Sequence, residues 1–216
     1  VSRTNDEFDS VEKERWREDN FRFLRKEGRL MWDGPRLLGS WVELVGRSGG
    51  RSRDMLVRNG AIESDSQYVG VDRSWDRIDE HRRSEAAFRT VHNDVTTAVL
   101  DMLSSGQRVS ILNYDGYNAA AVEGWWKEDG YAIGNIVRQA VQAFGEFGLV
   151  LNHVLRGKLR KEDAIESHMR MAEKYLKVGP LSRENVIDYV SEKSPMATIQ
   201  ILFTRSGHSV GRRCER

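Results

Sequence analysis

The chain repeatedly sets a short apolar run against a polar stop and follows it with a helix-like segment. The clearest case is Gln67-Tyr68-Val69-Gly70-Val71-Asp72, which passes directly into a polar stretch over residues 73–83. The pattern returns at residues 87–92, which end on Asn93-Asp94 before a helical stretch over 95–104. It returns again at residues 108–115, which close on Asn113-Tyr114-Asp115 and break at Gly116. Residues 148–155 and 197–204 supply two further strands. Strands alternating with helices predict an α/β fold with a mostly parallel sheet. The apolar residues are consecutive rather than alternating, so the strands are expected to be buried on both faces, with helices on both sides of a doubly wound sheet.

The remaining segments divide the chain. Residues 1–35 read as an N-terminal helical extension: a charge-rich helix over 11–29 carrying Trp16, Phe21, Phe23 and Leu24, then an Asp33-Gly34-Pro35 turn. The main domain is expected over 36–206. Its opening has two readings. Leu37, Leu38, Trp41, Val42 and Val45 follow helical spacing with Gly46 as a cap, yet residues 41–45 could also form a strand feeding the glycine loop. Spacing favours the helix, and that is the reading taken. Further helices are predicted over 53–59, 134–144, 161–176 and, opened by Ser182, up to Pro195. Residues 207–216 read as a basic flexible tail.

Composition narrows the function. Lys and Arg total 34 against 33 Asp and Glu, a net charge of +1, so no global charge marks a nucleic-acid binder. Local basic clusters at Arg51-Ser52-Arg53 and over 156–161 leave nucleic acid open as an acceptor. One cysteine, Cys214, excludes a disulfide framework and a cysteine zinc site. The histidines lack metal-ligand spacing, so no metal site is expected. No apolar run reaches membrane-spanning length and the N-terminus is polar, so the expectation is a cytoplasmic protein with no membrane contact. The G-x-S-x-G elbow and the G-x-x-x-x-G-K-[ST] loop are both absent, which argues against those hydrolases.

In an open α/β sheet, ligands sit beyond the carboxyl ends of the strands. That places Asp72, Asp94, Asn113, Tyr114, Asp115 and His153 among the candidates, with Gly46 and Gly49 in the loop Gly46-Arg47-Ser48-Gly49-Gly50. Each has a plainer reading. Asp72 and Asp94 precede helices, where a carboxylate caps free amides. Asp115-Gly116 is an ordinary turn pair, Gly49-Gly50 a flexible turn, Tyr114 a packing residue and His153 a hydrogen-bonded structural histidine.

The order of these strand ends resembles the class I S-adenosylmethionine-dependent methyltransferases, which are Rossmann-like. The resemblance is carried by Gln67–Asp72 as the second strand, His92-Asn93-Asp94 as the end of the third and Asn113-Tyr114-Asp115-Gly116 as the end of the fourth. The late strand over 197–204 would be antiparallel. Glu43-Leu44-Val45-Gly46-Arg47-Ser48-Gly49-Gly50 is a loose counterpart of the family's acid and glycine loop, and the Asn/Asp-Pro-Pro-Tyr signature of amino-group DNA methylases is absent. The resemblance implies S-adenosylmethionine as a small-molecule cofactor, with Gly46 and Gly49 approaching it, Asp72 on its ribose and Asp94 on its adenine amine. It further implies Asn113 and Asp115 as catalytic residues, with Tyr114 and His153 at the substrate. The acceptor is not implied. The alternative expectation is a catalytically degenerate member of the fold that serves as a binding module.

Overall fold

The computed structural model describes residues 11–45, 50–83, 88–116, 122–154, 161–177, 186–191 and 194–210. A first helix, α1 (Val11–Glu27), leads into a two-stranded hairpin of β1 (Trp32–Asp33) and β2 (Arg36–Leu37) across the Asp33-Gly34-Pro35 turn. The main sheet then alternates with helices: β3 (Ser40–Leu44), α2 (Arg51–Arg58), β4 (Tyr68–Asp72), α3 (Trp75–Arg83), β5 (Arg89–His92), α4 (Val95–Ser104), β6 (Val109–Gly116), α5 (Val122–Phe144), β7 (Glu146–Val154) and α6 (Lys161–Leu176). Three strands finish the chain: β8 (Val186–Ser191), β9 (Ser194–Thr204) and β10 (Gly207–Val210).

The strand order is β10-β9-β7-β6-β3-β4-β5, with β8 also paired to β9. Strands β3 to β7 are mutually parallel, and β9 runs antiparallel to β7. This is the doubly wound, mostly parallel α/β architecture that the strand–helix alternation predicts. Because successive side chains on a strand point to opposite faces, each buried strand feeds two cores. Val42, Val69, Val71, Leu112, Leu149, Leu151 and Ile201 pack against α4, α5 and α6. Trp41, Tyr68, Ile111, Val150 and Leu202 pack on the other face with Trp16, Phe21, Phe23 and Leu24 of α1 and Met55 and Leu56 of α2. α3 lies on this second face, where Arg77 reaches Asp72 and Arg82 reaches Thr90.

Helix α1, within the segment expected as an N-terminal helical extension, packs on this second face through Trp16, Phe21, Phe23 and Leu24. Its C-terminal end is fixed by Glu146, a buried carboxylate whose Oε2 accepts from the backbone amides of Arg29, Leu30 and Met31 at 2.8, 2.6 and 3.3 Å.

Three segments differ from the sequence expectation. Residues 40–44 form strand β3, not a helix, because Trp41 and Val42 are both buried while pointing to opposite faces, a two-sided burial that a central parallel strand requires. Residues 186–191 form strand β8, paired antiparallel with β9, in place of the helix opened by Ser182. Pro195 therefore sits inside β9, just before the pairing with β7 begins at Met196, so its missing N–H costs no ladder bond on that side. The first four residues of the expected tail form β10 on the edge of the sheet, and 211–216 lie outside the described residues.

Candidate active site at the strand-order switch

The chain lays down β3, β4 and β5 outward in one direction, then returns to place β6 on the opposite flank of β3 and continues to β7 and β9. The sheet's switch point therefore falls between β3 and β6, and the crevice beyond their carboxyl ends is where such a fold holds a ligand. Residue register shows what lines it on the face covered by α1, α2 and α3. One row across the sheet is Gly70, Glu43, Asn113, Val150 and Gln200. On β6, β7 and β9 the next position toward the carboxyl ends brings Asp115 beside Asn152 and Asn152 beside Thr198. Below them lie Trp41, Ile111 and Leu202 in the apolar core. This face thus turns from apolar to polar as the strands approach their ends.

α1 supplies the matching polar groups. The indole N–H of Trp16 donates to Thr198 Oγ1 at 2.6 Å, and that hydroxyl donates to Asn152 Oδ1 at 2.7 Å. Gln200 Nε2 donates to Asn20 Oδ1. Lys13 and Arg17 are 7% and 8% exposed on the same helix. Within this layer Asn113 is 2% exposed and its Oδ1 has no hydrogen-bond partner among the described residues. A buried carbonyl oxygen without a donor costs free energy, and a ligand N–H or O–H would relieve that cost.

Asp72 closes β4 and is 5% exposed. Its Oδ1 accepts from the Ser74 amide at 2.8 Å and its Oδ2 from Arg77 Nη1 at 3.1 Å. Each oxygen retains acceptor capacity. Asp94 is the N-cap of α4. Its Oδ1 accepts from the Thr96 amide at 2.9 Å, the Thr97 amide at 3.2 Å and the Thr96 hydroxyl, while Oδ2 is paired with Arg73. Burial pushes the Asp94 carboxyl up, but the bonds from Thr96, Thr97 and Arg73 outweigh it and hold the group below the usual carboxylate range. Asp94 is therefore heavily committed, with only the outer side of Oδ2 left to meet a ligand.

On the same face, Tyr68 Oη donates to Glu43 Oε2 at 3.2 Å. Burial, then the neighbouring Glu43 charge, raises the phenol well above its ordinary value, opposed by Arg17 and the Gly50 amide. A Cβ on Gly70 would fall 2.6 Å from Val45 Cγ2 and 2.7 Å from Phe88 Cε2, so Val45 and Phe88 occupy the space that glycine leaves.

The structure thus places Asp72 at the end of β4 and Asn113 on β6, on one face of the sheet with β3 between them, the backbone of Asp115 two residues further along β6 and Asp94 at the N-cap of α4. Tyr114 points to the opposite face, packed among α4 and α5 residues with its hydroxyl donating to Asp129 Oδ2 at 3.1 Å. His153 stands in register with Gly116 at the end of β7. The side chains of Asp115 and His153, and the loop residues Gly46 and Gly49, lie outside what is described. Sequence reasoning missed Lys13 and Arg17. A signal existed: Lys13, Arg17, Asn20 and Leu24 form one helical stripe whose first three members are polar and whose last is core. Among the described residues no helix is long and apolar enough to cross a membrane, and no group of His, Cys, Asp and Glu could hold a metal.

No protein-family model matches this sequence, and no curated protein matches it. Solved structures do. The S-adenosylmethionine-dependent methyltransferase of Agrobacterium tumefaciens superposes with a TM-score of 0.53 at 13% identity, covering 89% of this chain and 63% of that one. The present chain thus spans less than two thirds of that protein's length. The Methanococcus jannaschii fibrillarin pre-rRNA processing protein gives 0.44 at 9% identity, over 74% of this chain and 66% of that one. TrmK of M. capricolum, in complex with S-adenosylhomocysteine, gives 0.38 at 8% identity, over 82% and 66%. The likeness is one of fold: the chain has the class I α/β fold of S-adenosylmethionine-dependent methyltransferases.

Proposed function

We propose that this chain is an S-adenosylmethionine-dependent methyltransferase. The observation that carries the reading is the placement, on one face of the sheet and on either side of β3, of a buried carboxylate with spare acceptor capacity, Asp72, and a buried amide oxygen to which no described residue donates, Asn113 Oδ1. Both are what a polar small molecule in that crevice would complement. When bound, the cofactor supplies an electrophilic methyl group on a sulfonium for transfer to a nucleophile. Asp72 would accept hydrogen bonds from the ribose hydroxyls, and Gly46 and Gly49 would let the loop backbone approach. Asn113 would orient the acceptor and the Asp115 carboxylate would take up its proton, catalysis being mostly positioning. His153 would flank the acceptor. Tyr114, on the far side of the sheet, would act by fixing β6 against α5 and not by contact.

A second reading is a binding module of the same fold that does not catalyse methyl transfer. It is favoured by the saturation of Asp94 Oδ1 by Thr96 and Thr97, which leaves little for an adenine amine. Calorimetric titration with S-adenosylmethionine and S-adenosylhomocysteine separates the two. One-site binding that is lost in Asp72→Ala, with cooperative unfolding retained, supports the enzyme. Unchanged affinity in Asp72→Ala removes that residue from the site, and indifference to Gly46→Ala and Gly49→Ala favours the module.

A further inference from the structure

Two polar atoms beneath α1 have no hydrogen-bond partner among the described residues, and they differ in kind. Asn20 Nδ2 is a donor and Asn113 Oδ1 an acceptor, on side chains 1% and 2% exposed. The groups around them are matched: Trp16 donates to Thr198, Thr198 to Asn152 Oδ1, and Gln200 to Asn20 Oδ1. An unmet buried donor or acceptor forfeits the hydrogen bonds it had in water, and folds keep such groups chiefly where function uses them. The register brings the two side chains to one place. Asn113, Val150 and Gln200 form one cross-strand row, and Gln200 holds Asn20. With neighbouring strands about 4.8 Å apart, the two asparagines border a stretch of roughly 10 Å. Asn113 lies two residues short of Asp115, so this stretch is the layer next below the carboxyl-end crevice.

The chemistry of the pair selects a ligand class. A carboxylate accepts from Asn20 but has nothing to give Asn113, and an ammonium donates to Asn113 but cannot accept from Asn20. A hydroxyl does both. A carboxamide also does both, but it carries its donor and acceptor side by side, whereas the stretch between the asparagines calls for groups set apart, as on a polyol. We propose that Asn20 and Asn113 form a recognition site for a neutral polyhydroxylated compound, one hydroxyl donating to Asn113 Oδ1 and another oxygen accepting from Asn20 Nδ2. α1 is then an element of ligand specificity. That the compound is the methyl acceptor rests on the methyltransferase reading; that it binds does not.

The test titrates the full chain with D-glucose, myo-inositol, acetamide, acetate and methylammonium, followed by ligand-observed NMR. Saturable binding of at least one polyol, and of none of the other three, is expected. Loss of one hydrogen bond predicts that Asn113→Val weakens polyol binding about two- to tenfold. Its urea midpoint should equal or exceed that of wild type, because an unmet acceptor has been removed. Asn20→Asp keeps the oxygen that accepts from Gln200 and deletes the donor, so polyol binding should weaken and methylammonium, which asks only for acceptors, should gain. Polyols that fail to bind wild type, polyol binding that both variants leave unchanged, or a preference for acetamide or acetate overturns the proposal. A lowered midpoint in Asn113→Val together with absent polyol binding assigns the two atoms to a structural water instead. Polyol binding by a chain that does not bind S-adenosylhomocysteine leaves the site standing and counts against the methyltransferase reading.

Discussion

Replacing Glu146 by alanine tests whether α1 is held to the sheet by one carboxylate. Its Oε2 receives three consecutive backbone amides, those of Arg29, Leu30 and Met31, at 2.8, 2.6 and 3.3 Å. Hydrogen bonds to a charged acceptor contribute about 1.5–3 kcal/mol each, and an orphaned buried donor costs about 1–3 kcal/mol. The sum is not simply three such terms. Arg29 and Leu30 are exposed residues whose amides water can reach, while the buried Met31 amide has the longest bond. Removing the acceptor also removes the cost of burying the carboxylate. A net loss of about 2–4 kcal/mol follows, which for a chain of this size lowers Tm by roughly 5–15 °C. Glu146→Gln keeps one acceptor oxygen and should lose about half as much. Urea unfolding followed by tryptophan fluorescence measures the loss, and amide hydrogen exchange localises it to residues 29–31. A Glu146→Ala protein within about 0.5 kcal/mol of wild type, with unchanged exchange at those amides, would refute the reasoning.

Two further outcomes are expected. Because Asp94 is held below the usual carboxylate range, its stabilising effect is fully present above the ordinary aspartate value of about 3.9 and is lost as pH falls through the lower folded value; Asp94→Asn, which keeps a capping side chain but no charge, should lower stability at pH 7 and converge on wild type in acid, flattening the acid limb of a stability–pH curve. Gly70→Ala drives a methyl into Val45 and Phe88, both buried, and should cost about 1–3 kcal/mol in denaturant unfolding, with a normal Tm counting against the packing described.

The strand–helix alternation was legible because β4 and β6 carry apolar runs that stop on polar residues, and Asp94 was legible as a cap because it directly precedes α4. The elements misread are those whose sequence signals coincide. In β3, burial of Trp41 and Val42 on opposite faces yields apolar neighbours that satisfy helical spacing equally well. Gly134 reads as the start of the helix over 134–144, yet it lies inside α5, as does Gly130, where Tyr175 of α6 packs within 3.2 Å of the Cβ that Gly130 lacks. β8 depends on its pairing with β9, a contact that no local pattern encodes. Of the candidate site, the strand-end residues were visible in advance. The contributions of α1 were not, since Lys13, Arg17 and Asn20 become buried only when the helix lies across β6, β7 and β9.

The shared flank of β9 bears on how the protein stays apart from its own copies. β9 is 11 residues long, a length that, left open, would offer a template for another chain's strand. β8 covers it from Ser194 to Ile199 and β10 from Ile201 to Thr204. The outer border of the sheet is thus two short segments end to end, with their break opposite Gln200, and the opposite border is the four-residue β5. Among the described residues neither border presents a long continuous ladder, an arrangement that opposes edge-to-edge aggregation, and a variant that unpins β8 would expose the stretch it conceals.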